Sequence, residues 1–297
     1  MHATTPTTST GGKTSRIKKV PRKLRREFGR FLFQAKVLAM RPRALTARSR
    51  FLFILGHMRS GSTLLCHLLC NSDDIVGFGE THHSYRRRSD LAKLLTSVGE
   101  HTAKAPLRYR YVLDKIVGTR HAMSTAVLRD RRTRYVFLVR EPVATVASLV
   151  AMRRQFHDES PQQLLAFAAQ HYTERLAQLL QLAETIGDRG RCLLLTHQQL
   201  LAETQAAFQA LQGFLVLGAP LCEDYKIMST TGQPGIGDPC PNIRLGKIVR
   251  SLPRKHVDLP PPLRVHLQQR YESCLEKLRA TVQTADLPLL TTNERAA

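Results

Sequence analysis

FLFILGHMRSGSTLL, residues 51 to 65, decides the fold. Phe51 to Leu55 form an uninterrupted apolar run, the pattern of a strand buried on both faces, and Gly56 ends it where a sharp turn fits. Gly61 then opens a second apolar stretch with helical spacing. Strand, glycine loop and helix in that order leave the first-turn N–H groups and the positive end of the helix dipole facing whatever the loop holds. Such a nest suits an anion, phosphate above all. The alternative is a plain strand-to-helix turn, but Arg59, Ser60, Ser62 and Thr63 around two glycines are an odd composition for one.

The spacing of Gly56 and Gly61 nearly fits a nucleotide-binding loop of the Walker type, in which a lysine follows the second glycine. Here Ser62 holds that position and the cation has moved into the loop as Arg59. A kinase or ATPase of that type needs the lysine for the outer phosphates and a hydroxyl for Mg²⁺, so this loop is suited to a different anhydride. Further along, RYVFLVREPVATVASLV, residues 134 to 150, repeats the strand-to-helix pattern. Arg140 stands at the strand end and Pro142 suits the first turn of the next helix, which carries Ser148. A guanidinium fork with a hydroxyl is good chemistry for a phosphate monoester, if the helix folds back to bring them together. Pairing of Arg140 with a nearby carboxylate, and a neutral Ser148, is an equal alternative on these residues alone.

Together the two segments resemble the sulfotransferases that use PAPS, 3′-phosphoadenosine 5′-phosphosulfate. HMRSGST matches the family's 5′-phosphosulfate loop, with Met58 in place of the usual proline. That resemblance implies contacts from Arg59, Ser60, Gly61, Ser62 and Thr63. VFLVREPVATVASLV matches the 3′-phosphate element and implies Arg140 and Ser148. GFGET, residues 77 to 81, is similar to the segment carrying the catalytic base in tyrosylprotein-type and several bacterial members, which makes Glu80 the candidate. YVLDKIVG, residues 111 to 118, resembles the strand whose lysine lies near the transferring group, which is Lys115 here. TTGQPGIGDPCPNIRLGKI, residues 230 to 248, resembles the loop folding over the cofactor's 3′ end, with Arg244, Gly246 and Lys247 as its contacts. Two departures stand out: Thr196, His197 and Gln198 replace a Tyr-Glu pair after a late strand, and the proline and asparagine expected after Lys115 are missing.

Sulfuryl transfer to a hydroxyl needs a base, cations for the charge growing on the bridging oxygen, and in-line alignment. Glu80 is the first candidate base; His82 and His83 are rivals, since histidine serves in the cytosolic branch of the family. Arg59 and Lys115 are the expected stabilisers of the leaving phosphate. No metal is implied, because no D-x-D or His-x-x-His spacing occurs. The implied co-substrate is PAPS, with PAP as product. The expected acceptor is a hydroxyl-bearing small molecule, carbohydrate or lipid, and Arg86, Arg87 and Arg88 are either part of its pocket or a solvated patch.

The whole chain bounds these readings. Its 297 residues, 42% of them hydrophobic, suffice for one large core. Alternating strand and helix patterns predict an α/β fold, a mostly parallel central sheet flanked by helices, and the resemblance implies the P-loop NTPase-like sulfotransferase form of it. Residues 160 to 187 and 264 to 282 predict two long helices. The expected organisation is a basic arm over 1–50 and a catalytic domain over 51–290. Net charge is +22, and residues 13–50 hold fourteen Lys and Arg against Glu27 alone, so that segment supplies +13. Its interspersed apolar residues fit either a basic amphipathic helix on an anionic membrane or a solvated arm. Six cysteines without C-x-x-C spacing, no membrane-length apolar run and no signal peptide predict a cytoplasmic protein, with peripheral contact at the inner membrane surface as an option. The competing functions are a nucleotide-dependent phosphoryl transferase and a basic nucleic-acid binder. Nucleic acid is not expected, because the bases gather in the arm and aromatics are few.

Overall fold

In strand β1, Arg50–Gly56, side chains alternate between two cores. Phe51, Phe53 and Leu55 enter one and Leu52 and Ile54 the other, all fully buried. A strand buried on both faces must be central, which is why its sequence runs apolar without a break. The computed structural model describes residues 49–233, 241–251 and 256–285. The basic arm, except for its last two residues, lies outside them.

Five further strands join β1: β2 (Ile75–Val76), β3 (Tyr111–Ile116), β4 (Thr133–Val139), β5 (Cys192–Thr196) and β6 (Gln283–Thr284). Their order is β2-β3-β1-β4-β5-β6, and every pairing is parallel. The chain therefore fills the β3 side of β1 first and then crosses to the β4 side. In open parallel sheets, ligands bind beyond the carboxyl ends of the strands where this reversal falls, between β1 and β4 here. Register aligns those ends: Leu55 pairs with Ile116 and Gly56 with Leu138.

Helices cover both faces. Helix α1 (Ser62–Cys70) packs on the side of Leu52 and Ile54. On the other side lie α2 (Leu91–Thr102), the short α3 (Thr125–Leu128), α4 (Pro142–Arg153) and α5 (Pro161–Ile186). Two helices, α6 (His197–Ala202) and α7 (Thr204–Leu215), return to the α1 side, and α8 (Pro261–Thr281) packs beside α5. Helix α5 has the limits its sequence predicts. Ser160 and Gln163 form a reciprocal capping box, and Gly187 ends the helix at φ 58°. Helix α8 begins three residues before the expected start. Pro261 and Pro262 occupy the first turn, where the missing N–H groups have no intrahelical partner to lose.

Candidate active site

The loop between β1 and α1 is held from below by two buried side chains. His57 Nδ1 donates to the Met58 carbonyl at 2.9 Å, and its Nε2 accepts the Arg140 backbone N–H at 3.0 Å. One imidazole tautomer thus ties the glycine loop to the end of β4. Burial pushes the His57 pKa down to about 3, so the ring is neutral, as an accepting Nε2 requires. Arg175 of α5, 2% exposed, donates from Nε to the Gly56 carbonyl at 2.7 Å and from Nη2 to the Ile116 carbonyl at 2.6 Å. It joins the ends of β1 and β3. Burial lowers its pKa to about 10, and the Glu80 carboxylate partly offsets this.

The loop itself leaves polar hydrogens without protein partners. Gly61 caps α1 at φ 92° with no side-chain hydrogen bond, which leaves first-turn N–H groups open. Ser60 is fully buried, and its Oγ has no hydrogen-bond partner. An orphaned buried hydroxyl in a glycine loop is a donor waiting for an oxygen. Arg59 sits at φ 66°, a left-handed conformation rare for a side chain of its size. That turn sends its Nε to Ser148 Oγ at 2.9 Å, while Arg140 Nη1 donates to the Arg59 carbonyl at 3.2 Å. Arg59 thus bonds Ser148 of α4 through its side chain and Arg140 at the end of β4 through its carbonyl.

Lys115 and Glu80 complete the other side. Lys115 Nζ donates to Thr63 Oγ1 at 2.9 Å and lies 3.6 Å from Glu80 Oε2. Asp114, the other charged residue of β3, is committed elsewhere. It accepts from Tyr85 OH, from the Thr81 hydroxyl and N–H, and from the Lys115 N–H. Burial raises its pKa against the pull of those donors. The two histidines after Glu80 separate. His82 Nδ1 is 3.5 Å from Glu80 Oε1, whereas His83 Nε2 bonds Ser97 Oγ of α2.

The later loop reaches this region through α1. Thr231 Oγ1 lies 2.8 Å from Nε2 of His67, one helical turn beyond Thr63, and the Thr230 hydroxyl bonds the Phe78 carbonyl. The carbonyls of Gly246 and Lys247 accept from the N–H and hydroxyl of Tyr225. Arg244 packs against Gly232, where its guanidinium leaves no room for a Cβ. Residues 234–240 of that loop lie outside the described ones. Arg86 and Arg87 are exposed, and Arg88 bonds the Ala126 carbonyl and lies 3.8 Å from Asp130.

Two residues at the site, His57 and Arg175, were not singled out by sequence, and His197 stood out only as a departure from the family pattern. His197 shields the loop, since a Cβ on Gly61 would meet its Cδ2 at 2.6 Å. Burial lowers its pKa to about 3, with Arg140 and His57 adding to the effect. His57 was visible inside the motif, but nothing local announces a bond to residue 140. Arg175 lies in the middle of a long amphipathic helix, where an arginine reads as surface.

Comparison with known proteins supports the fold. The chain is similar to the sulfotransferase domain from the curacin biosynthetic pathway, at 19% identity and a TM-score of 0.54, over 78% of this chain and 98% of that one. It is more loosely similar to the sulfotransferase domain from the Synechococcus PCC 7002 olefin synthase (17%, TM-score 0.48, 75% and 94% covered). A mouse sulfotransferase complexed with PAP is more distant (11%, TM-score 0.42, 58% and 59% covered). No protein-family model and no curated protein matches the sequence. The architecture is the sulfotransferase-family fold, a parallel α/β sheet with a P-loop-like first crossover. Among the described residues, no helix is long and apolar enough to cross a membrane.

Proposed function

We propose that the chain moves the sulfuryl group of PAPS to a hydroxyl of a small molecule, carbohydrate or lipid and releases PAP. The observation that carries this reading is the reach of Lys115, whose Nζ touches both Thr63 of the anion loop and Glu80. It places a carboxylate one side chain away from the loop that would hold the donor. PAPS supplies the sulfuryl group when bound. Ser60, Gly61, Ser62 and Thr63 hold the 5′ end of the donor, and Arg59, Arg140 and Ser148 offer two guanidinium forks and a hydroxyl to its phosphates. Arg244, Gly246 and Lys247 flank the 3′ end.

Glu80 accepts the acceptor's hydroxyl proton as the new oxygen–sulfur bond forms and the bridging bond breaks. Lys115 and Arg59 stabilise the charge that collects on the leaving phosphate, the role of a fixed electrostatic clamp. His82 stands behind Glu80 as a second proton-accepting group. Phosphoryl transfer with Mg²⁺ fits less well, because all the donors around Asp114 hold it in the wall of the site and Ser62 takes the place of the Walker lysine.

Calorimetric titration with PAP, with ATP plus Mg²⁺ as comparison, tests the donor site in the wild type and in Arg140→Ala. PAP binding weakened by roughly 10- to 100-fold in the variant, a loss of about 1.5–3 kcal/mol for charged hydrogen bonds, is expected. Absence of PAP binding in the wild type would reject the reading.

A further inference from the structure

Glu80, His82 and His121 come from two separate loops, yet each offers one ligand atom and these atoms lie within 4.8 Å of one another. His82 adopts φ 57°, a left-handed conformation that sets its Nδ1 3.5 Å from Glu80 Oε1. His121 arrives from the loop between β3 and α3, with its ring centroid 5.5 Å from that of His82. We propose that these three side chains form a binding site for a zinc-like divalent transition ion, and that the ion competes with proton transfer for Glu80. The second clause rests on Glu80 being the base of the proposed reaction; the first does not.

The donor set selects the kind of ion. Two imidazole nitrogens and one carboxylate oxygen suit zinc and its neighbours, whereas calcium and magnesium take oxygen ligands. Three protein ligands leave one tetrahedral position for water. Two ligands bound at zinc's usual distances stand about 3.4 Å apart, close to the 3.5 Å between Glu80 and His82. His82 is 46% exposed and Glu80 14%, so an ion can reach them from solvent. Lys115 engages Oε2 of Glu80 and leaves Oε1 toward the histidines. Its charge opposes a dication, so the site suits reversible occupancy rather than a structural ion that the fold needs.

An occupied site would lower the basicity of the Glu80 carboxylate, because a dication on one oxygen draws away the charge that a proton would neutralise. Zinc is then an inhibitor of transfer without being a ligand of the donor loop. His121 belongs to the metal site and not to the proposed transfer machinery, so its variant separates the two functions.

The test is calorimetric titration of zinc chloride alone into chelator-treated wild type, His82→Ala and His121→Ala. Cobalt(II) visible absorption reports the coordination, and each sample is also titrated with PAP. One saturable event near one equivalent is expected, weakened at least ~10-fold in each variant, with PAP binding unchanged. Transfer should fall with zinc in the wild type and resist it in His121→Ala. An isotherm unchanged in both variants would assign the ion elsewhere, for example to the exposed thiol of Cys222, and overturn the site. Zinc binding that requires His121 but leaves wild-type transfer unaffected would overturn the competition alone. If PAP binding fails while zinc binding depends on His121, the sulfuryl-transfer reading falls and the metal site stands.

Discussion

Glu80 gains its interest from two neighbours rather than from its own identity. Lys115 lies 3.6 Å from one of its oxygens and His82 3.5 Å from the other. If it is the base, Glu80→Gln keeps the shape and loses the proton acceptor. Transfer from PAPS should drop by about 10²–10⁴-fold while PAP affinity stays near wild type. Single-turnover assay beside PAP titration checks this, and undiminished turnover would hand the role to His82. At this scale the sequence was informative for the loop, because Arg59, Ser60, Gly61, Ser62 and Thr63 are consecutive and one turn of chain fixes their geometry. Glu80 and Lys115 were named by resemblance alone. Their proximity depends on β2 and β3 pairing, which no local pattern dictates.

At the scale of elements, the site hangs on the ends of three strands. Arg175 clamps β1 to β3 through two carbonyls, and His57 clamps β1 to β4 through one backbone N–H. Replacing Arg175 by Met keeps the bulk but leaves the Gly56 and Ile116 carbonyls without a buried donor. A cost of about 1–3 kcal/mol per carbonyl is expected in urea unfolding. Because Ile116 adjoins Lys115, the same variant should weaken transfer more than PAP binding. Unchanged stability would show that water or a neighbour replaces the guanidinium. Helix α5 itself was fully legible, as Ser160, Pro161 and Gly187 mark its ends. The inward turn of Arg175 was not, since an amphipathic pattern assigns a charged residue to the outer face and only packing against two strand ends reverses that.

Over the whole molecule, buried neutral histidines contribute to the response to acid. The folded pKa of His57 lies near 3, well below its value of 6.5 in an unfolded chain, because burial disfavours the imidazolium. Above pH 6.5 neither state binds the proton, and the contribution to stability is complete. As pH falls from 6.5 toward 3, the unfolded chain takes up a proton that the folded one refuses, so stability is lost. The limiting slope is about 1.4 kcal/mol per pH unit for one histidine. His197 and His171, lowered by burial to about 3 and 4, act with the same sign. His57→Gln can keep both hydrogen bonds without titrating, so urea unfolding from pH 7 to 4 should show a shallower decline in that variant; equal slopes would mean that His57 is charged or exposed. The basic arm is a separate question at this scale. Removal of residues 1–48 should leave PAP binding intact, since every residue assigned to the proposed donor site lies after residue 50. Liposome sedimentation of the two forms decides its role: reduced pelleting of the shortened chain supports membrane contact, and equal pelleting assigns the arm to solvent.

The sequence by itself determined the parallel α/β class, the strand–glycine loop–helix that opens it, and the limits of the long helix. Each is written in neighbouring residues through apolar period, capping and glycine placement. Tertiary structure alone decided which distant side chains share the site. Arg59 meets Ser148, Lys115 spans Thr63 and Glu80, and His121 joins Glu80 and His82 only because β3 and β4 flank β1 in register. Long-range pairing of strands carries no local signature. The chemistry that depends on it becomes visible only once the sheet has formed.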